Sequence, residues 1–225
     1  MNKNIIFCDF DGTITKEDTI DKLLDTYANE KWLEIESLWE EGLIGSKECL
    51  ERQVNCIDYL SEKHFEEFID SIEIDEYFSE YLSWVKTNNI DFYVVSDGFD
   101  LIIDKIFAKY GIKDVKKFSN MLYHTSGKLK PFFPLYKENC ESGAGVCKCR
   151  VLKENSKNKR IVYIGDGRSD MCATKHADLL FAKGKLAKYC SYNSINCIEF
   201  TTFKDILEYC STEEKIIVTS GFALR

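Results

Sequence analysis

Two prolines, Pro131 and Pro134, and three scattered histidines are all that the 225 residues hold of either type. No repeat or low-complexity stretch separates the segments, so nothing reads as a linker or a disordered region. No run approaches the roughly 18 apolar residues of a membrane-spanning helix, which argues against a membrane protein. The first apolar run, Ile5 to Cys8, is too short for the core of a signal peptide. The expected compartment is therefore the reducing cytoplasm, with the ten cysteines as free thiols. Basic excess is also missing: 30 Lys and Arg stand against 38 Asp and Glu, a net charge of −8. That balance argues against nucleic-acid binding, yet a small phosphorylated molecule needs only a local positive site.

A 44% hydrophobic, 30% charged chain can bury a full core. Asn4 to Phe10 reads as a buried strand that ends in acidic residues. From Asp18 to about residue 88 the pattern is helical, with breaks at Gly42 and Gly45. The β-branched and aromatic run Ile90 to Val95 is a second strand, followed by a turn at Ser96-Asp97-Gly98. Residues 115–137 read as extended pieces with a turn near Ser126-Gly127. A helix is expected from about Gly145, then a strand from Arg160 to Ile164 that ends in Gly165-Asp166-Gly167 and leads into a helix. Shorter strands near 179–182 and 197–200 alternate with helices to the end. This alternation predicts an α/β fold, Rossmann-like and doubly wound, with a mainly parallel sheet. The helical block is too long for one crossover and reads as an inserted cap. The expected division is a core of residues 1–14 and 89–225 and a cap of 15–88, hinged near 14–17 and 76–90. Ligands of such sheets bind at the carboxyl ends of the strands.

Three strand ends carry chemistry. Asp9 and Asp11, two apart in an extended segment, face one side, where one can attack phosphorus while the other handles protons. An exposed acidic turn would look the same. Ser96 and Gly98, with Asp97 between them, can offer a hydroxyl and open backbone amides to phosphate, or simply cap a helix. Asp166 and Asp170 can converge on a hard cation such as Mg²⁺, or cap a helix start.

Together, in this order, the motifs resemble the haloacid dehalogenase-like phosphatase superfamily, over essentially the whole chain. The resemblance implies that Asp9 is the nucleophile, Asp11 the general acid and base, and Ser96 a phosphate ligand. It implies Mg²⁺ held by Asp9, Asp166 and the Asp11 carbonyl, with Asp170 supporting it. The superfamily also uses a lysine ahead of its last motif; Lys148, in Cys147-Lys148-Cys149, matches better than Lys153, Lys157 or Lys159.

Within the superfamily the chain resembles the phosphoserine phosphatase-like branch. The pieces Asp9 to Thr15, Trp32-Leu33, Cys147-Lys148 and Gly165-Asp166 are similar to those of methionine-salvage phosphatases acting on 2-hydroxy-3-keto-5-methylthiopentenyl-1-phosphate. Phosphoserine phosphatases are the rival. They resemble the chain at Thr19-Ile20-Asp21 and at Arg52, which could grip a substrate carboxylate. Their usual glutamate is replaced by the shorter Asp18, which can instead be a helix cap. A non-catalytic phospho-acceptor or binding protein is the reading of another class. Cys140, Cys147 and Cys149 lack a standard zinc spacing and a fourth ligand nearby in the sequence, so they are expected to be packing thiols. Oligomeric state is not legible.

Overall fold

The computed structural model describes residues 3–140 and 142–212. Strand β1 (Asn4–Cys8) lies at the centre of a seven-stranded sheet with β2 (Asp91–Phe99), β3 (Lys116–Thr125), β4 (Lys128–Phe132), β5 (Arg160–Gly165), β6 (Leu179–Ala182) and β7 (Ile198–Glu199). The order is β4-β3-β2-β1-β5-β6-β7, and every pair is parallel except β3 with β4. This is the expected doubly wound α/β sheet. Both faces of β1 are buried, as its unbroken apolar run requires. Ile6 and Cys8 face one apolar cluster with Val94, Val162 and Ile164, while Ile5 and Phe7 face a second with Tyr93, Ile161 and Tyr163.

Helices cover the two faces. α6 (Asp100–Lys109) and α9 (Phe203–Thr212) join the first cluster, and α7 (Lys148–Asn155) and α8 (Gly184–Tyr192) join the second. Two short 3₁₀ turns, Arg168–Asp170 and Ala173–His176, stand where one helix was expected after Asp166. The side chain of Asp170 accepts the backbone N–H groups of Asp166 and Gly167, which folds this segment tightly. The Ser126-Gly127 turn, with φ of +52° and +75°, closes the β3–β4 hairpin as expected.

Five helices separate β1 from β2. α1 (Thr19–Tyr27), α2 (Lys31–Glu40), α3 (Ser46–Val54) and α4 (Glu62–Ser71) form a helical block beside the strand ends, and α5 (Phe78–Thr87) leads back to the sheet. α5 lies on the core: Phe78 meets the Phe203 ring edge-on at 5.0 Å, and Tyr81 meets it at the same distance. The last helix of the expected cap therefore packs as a core crossover helix. The two chain passages between the layers pair at Thr15 and Ile74, with Asp75 N–H donating to the Ile14 carbonyl (2.8 Å) and Lys16 N–H to that of Glu73 (3.0 Å). This ladder falls on the first expected hinge and just ahead of the second.

Asp75 anchors that crossing. Its buried carboxylate accepts from the N–H of Tyr77 (2.9 Å), ahead of α5, and from that of Phe203 (3.2 Å), the first residue of α9. Replacing Asp75 with Ala leaves two buried helix-start amides without acceptors. The expected loss is about 2 kcal/mol, read as a lower urea midpoint at unchanged m-value.

Candidate active site

β1 delivers the first pair of carboxylates. Asp9 continues the ladder, its N–H donating to the Ile164 carbonyl (2.9 Å). Phe10 turns into the apolar core, so Asp9 and Asp11 emerge on the opposite side. One Asp9 oxygen accepts the Phe10 N–H (2.7 Å) and the other lies 2.7 Å from the Lys148 ammonium. Asp11 accepts from the Thr19 hydroxyl and N–H through Oδ1 and from the Ser96 hydroxyl (3.1 Å) through Oδ2. Gly12, at φ +66°, completes the turn; a Cβ there would lie 2.5 Å from Oδ2 of Asp166, so a side chain would displace that carboxylate. Thr13 hydrogen-bonds Oδ1 of Asp166 at 2.5 Å.

The second motif is not a turn after a strand. β2 runs through Phe99 with a register shift between Val95 and Phe99. The irregularity aims the Ser96 hydroxyl at Asp11 and lets it accept the Gly98 N–H (2.8 Å). Ser96 and Gly98 thus border the site. Asp97 was expected with them as a phosphate contact, and its carboxylate is engaged elsewhere. Oδ1 accepts the Val146 N–H (2.8 Å) and approaches Asn120 Nδ2 (3.2 Å), while Oδ2 takes the hydroxyl of Ser46 at the start of α3. A carboxylate would also repel phosphate. Asp97 ties the helical block to the core.

Lys148, the first residue of α7, is 1% exposed and reaches between Asp9 and Asp170 (2.7 and 2.6 Å). It also donates to the Ser169 hydroxyl (2.9 Å). Among the described residues the carboxylates of Asp9, Asp166 and Asp170 offer oxygens within 4.8 Å of one another. Burial, Asp170 and Asp166 push the Asp9 carboxyl well up, against the pull of Lys148. Burial and then Asp170 raise Asp166 to about 6. Asp170 goes the other way: although burial opposes ionisation, Lys148 and its hydrogen bonds hold it below the usual carboxylate range. Its Oδ1 accepts from Lys148 and from the Tyr163 hydroxyl (2.5 Å), and its Oδ2 from the Asp166 and Gly167 amides (3.0 and 2.9 Å). Asp170 was expected to support the metal, and with both oxygens engaged it orients Lys148 and the Asp166 turn rather than offering an open ligand position. One ammonium does not balance these carboxylates. The all-oxygen donor set of Asp9 and Asp166 fits a hard divalent cation.

Asp9, Asp11, Gly12, Gly98 and Asp166 floor a cleft of about 430 Å³, walled by Ile20, Asp21, Glu36, Trp39, Leu50, Gln53, Arg168 and Lys185; Lys148 and Asp170 lie behind that floor. Asp18 lines it too, but its carboxylate is engaged as the N-cap of α1, accepting from Ile20 and Asp21. Arg52 lies apart from the cleft lining, exposed and paired with Glu48 at 3.2 Å. Lys159, the weaker lysine candidate, pairs with Asp91 far along the strand. Sequence reasoning missed Thr13, Thr19 and Tyr163, which fix three of the carboxylates. It also missed Trp39 and Arg168, whose guanidinium stacks over the indole at 5.3 Å. In the sequence Thr13 and Thr19 stand only as members of the Asp9 and Thr19-Ile20-Asp21 motifs, with no role toward a carboxylate; Tyr163 reads only as a strand residue.

Comparison with known proteins agrees with this geometry. A family model described as "Putative Phosphatase" matches residues 4–185. A protein from Bacillus pumilus named 2-hydroxy-3-keto-5-methylthiopentenyl-1-phosphate phosphatase is 29% identical, covering 92% of this chain and 90% of that one. A protein of the same name from Bacillus thuringiensis is 30% identical over 89% of this chain and 93% of its own. The solved structure of a phospho-aspartyl intermediate analogue of phosphoserine phosphatase superposes with a TM-score of 0.72 at 28% identity, covering 93% of this chain and 99% of that one. A substrate-bound phosphoserine phosphatase gives 0.71 at 27% identity, covering 93% and 98%. The chain belongs to that phosphatase family, within the haloacid dehalogenase-like superfamily its strand-end motifs resemble.

Proposed function

We propose that the chain is a magnesium-dependent phosphomonoesterase that hydrolyses a small phosphorylated metabolite through an aspartyl phosphate on Asp9. The observation that carries this reading is the meeting of Asp9, Asp11, Ser96, Lys148 and Asp166 at one end of β1, β2 and β5. Magnesium, held by Asp9, Asp166 and the Asp11 carbonyl, would supply charge that offsets repulsion between carboxylate and phosphate and keeps Asp9 ionised. Lys148, beside Asp9, would add a second positive charge to offset the charge of the phosphate. An Asp9 oxygen bonds to phosphorus as the ester P–O bond breaks. Burial raises the Asp11 carboxyl, against the hydrogen bonds of Thr19 and Ser96, which favours Asp11 as the acid that protonates the leaving oxygen. Asp11 then takes a proton from the water that attacks phosphorus and frees Asp9. The Ser96 hydroxyl and the Gly98 N–H, paired with Asp11 and with each other in the free site, would turn to the phosphoryl oxygens when substrate binds. A non-catalytic phospho-acceptor has no use for Asp11 or for the cleft.

For the substrate, the favoured ester is the one named for the Bacillus relatives. Ile20, Trp39 and Leu50 give the cleft an apolar wall suited to a methylthio tail. The phosphoserine reading is weaker, because Arg52 faces away and Asp18 is engaged in capping. The reducing cytoplasm suits a chain whose ten cysteines are all free. No described helix is long and apolar enough to cross a membrane.

Asp9→Asn is expected to lower kcat by about a thousandfold or more while circular dichroism stays native; near-normal turnover would remove Asp9 as nucleophile. Cation binding must displace the proton that Asp166 holds below about pH 6. Magnesium affinity by calorimetry is therefore expected to weaken more steeply as pH falls through about 6, by about a further tenfold per unit; no steepening down to pH 5 would remove Asp166 as a ligand. In a phosphometabolite panel, kcat/KM is expected to be highest for the methylthio ester, and a preference for phosphoserine would reverse the substrate assignment.

A further inference from the structure

The end of α2 is finished by the core as well as by its own sequence. Glu41 N–H donates to the Ser37 carbonyl (2.9 Å), Gly42 N–H to that of Trp39 (3.0 Å) and Leu43 N–H to that of Leu38 (2.9 Å). Gly42, at φ +77°, supplies the left-handed residue that this helix ending uses. The carbonyl of Glu40, the last of the four, takes the guanidinium of Arg168. α2 has no basic residue in its last turn, and Glu40 and Glu41 add negative charge at the helix end that favours cations. Arg168 and Lys185 bring those cations from the core. The Lys185 ammonium lies 3.1 Å from the Glu40 carboxylate.

Two further contacts hold Arg168 in place. Its guanidinium stacks over the Trp39 indole at 5.3 Å. A Cβ on Gly42 would lie 3.2 Å from Nη2, so the bare glycine leaves room for the guanidinium. Arg168 follows Asp166 by two residues, and both Arg168 and Trp39 line the cleft. A single side chain thus joins the turn of Asp166 to the wall that the helical block contributes.

That wall bears on the choice of substrate. Ile20, Leu50 and Trp39 are its apolar members, among charged neighbours such as Asp21 and Glu36. Trp39 offers the largest apolar surface of the three. An indole on a helix surface has several rotamers open to it. A planar cation over one face favours one of them. Lysine would not be equivalent, because it lacks the fork that can stack on a ring and reach a carbonyl together.

We propose that Arg168 is a positioning residue for substrate selectivity: it clamps the Trp39 indole as the wall against which the apolar tail of the ester lies. The clamp spans the helical block and the core, so the wall is complete while the two are docked. Selection by the tail is therefore made on closure, and an ester too short to reach Trp39 does not benefit from it. The inference rests on the phosphatase reading for its chemistry; the clamp itself does not.

The test compares hexyl phosphate, which has an apolar tail, with methyl phosphate, which has none. Wild type is expected to favour hexyl phosphate in kcat/KM. Arg168→Ala should lower that preference about tenfold, chiefly through KM for hexyl phosphate. Trp39→Ala should lower it by a similar factor, and the double variant by no more than either, because both changes remove one wall. Arg168→Lys should not restore it. A purely structural role would lower kcat/KM for both esters alike. That result, additive losses in the double variant, or a wild type with no preference would each overturn the proposal. Acrylamide quenching of tryptophan fluorescence reads the clamp without turnover. The quenching slope should be steeper for Arg168→Ala than for wild type, and the difference should vanish when both carry Trp39→Phe. Equal slopes would overturn the clamp. A slope difference in a chain that splits neither ester would instead remove the phosphatase reading, and the selectivity assigned to Arg168 with it.

Discussion

The ammonium of Lys148 lies 2.7 Å from Asp9 and 2.6 Å from Asp170, with 1% of the residue exposed. Taking a charge out of water costs several kcal/mol unless its partners are placed to compensate. Here the compensation is mutual. Asp170 stays ionised because Lys148 is there, and Lys148 holds its proton firmly because two carboxylates flank it, burial notwithstanding. Removing Lys148 leaves two buried carboxylates without their ammonium, and removing Asp170 leaves Lys148 with Asp9 alone. The Tyr163 hydroxyl and the amides of Asp166 and Gly167 then fix Asp170, so this ion pair sets the shape of the turn that presents Asp166.

Sheet order explains why these groups meet. The chain leaves β1 for β2 on one side and later returns to pair β5 on the other. Such a reversal opens a crevice at the strand ends because the helices that follow diverge to opposite faces. The tips of β1, β2 and β5 are therefore adjacent although residues 11, 96 and 166 are far apart in the chain. The 0% exposure of Phe7, Cys8, Tyr163 and Ile164 keeps those tips from shifting against one another.

The strands and the acidic strand ends were legible because period, burial and residue type coincide there. Asp9, Asp11, Lys148 and Asp166 could be picked out singly, and their order made the pattern specific. What escaped were partners chosen by the third dimension. Nothing near Asp97 announces that Ser46, Asn120 and Val146 will take up its carboxylate. The segment after Asp166 looked helical because its side chains suit a helix; the buried Asp170 instead draws in the amides of its own turn and leaves two 3₁₀ pieces. The place of α5 was also hidden, since its apolar stripe serves a cap or a core equally well and only Phe203 decides it.

The carboxylate of Asp97 has a consequence for motion. It joins Ser46, at the mouth of the helical block, to the backbone that leads directly to Lys148. Swinging that block away would strip one oxygen of its hydroxyl partner and admit water, an exchange of roughly 1 kcal/mol. By itself this latch would hold the block only weakly. It is also specific enough to close in one register, and each closure would reset the loop that carries the lysine.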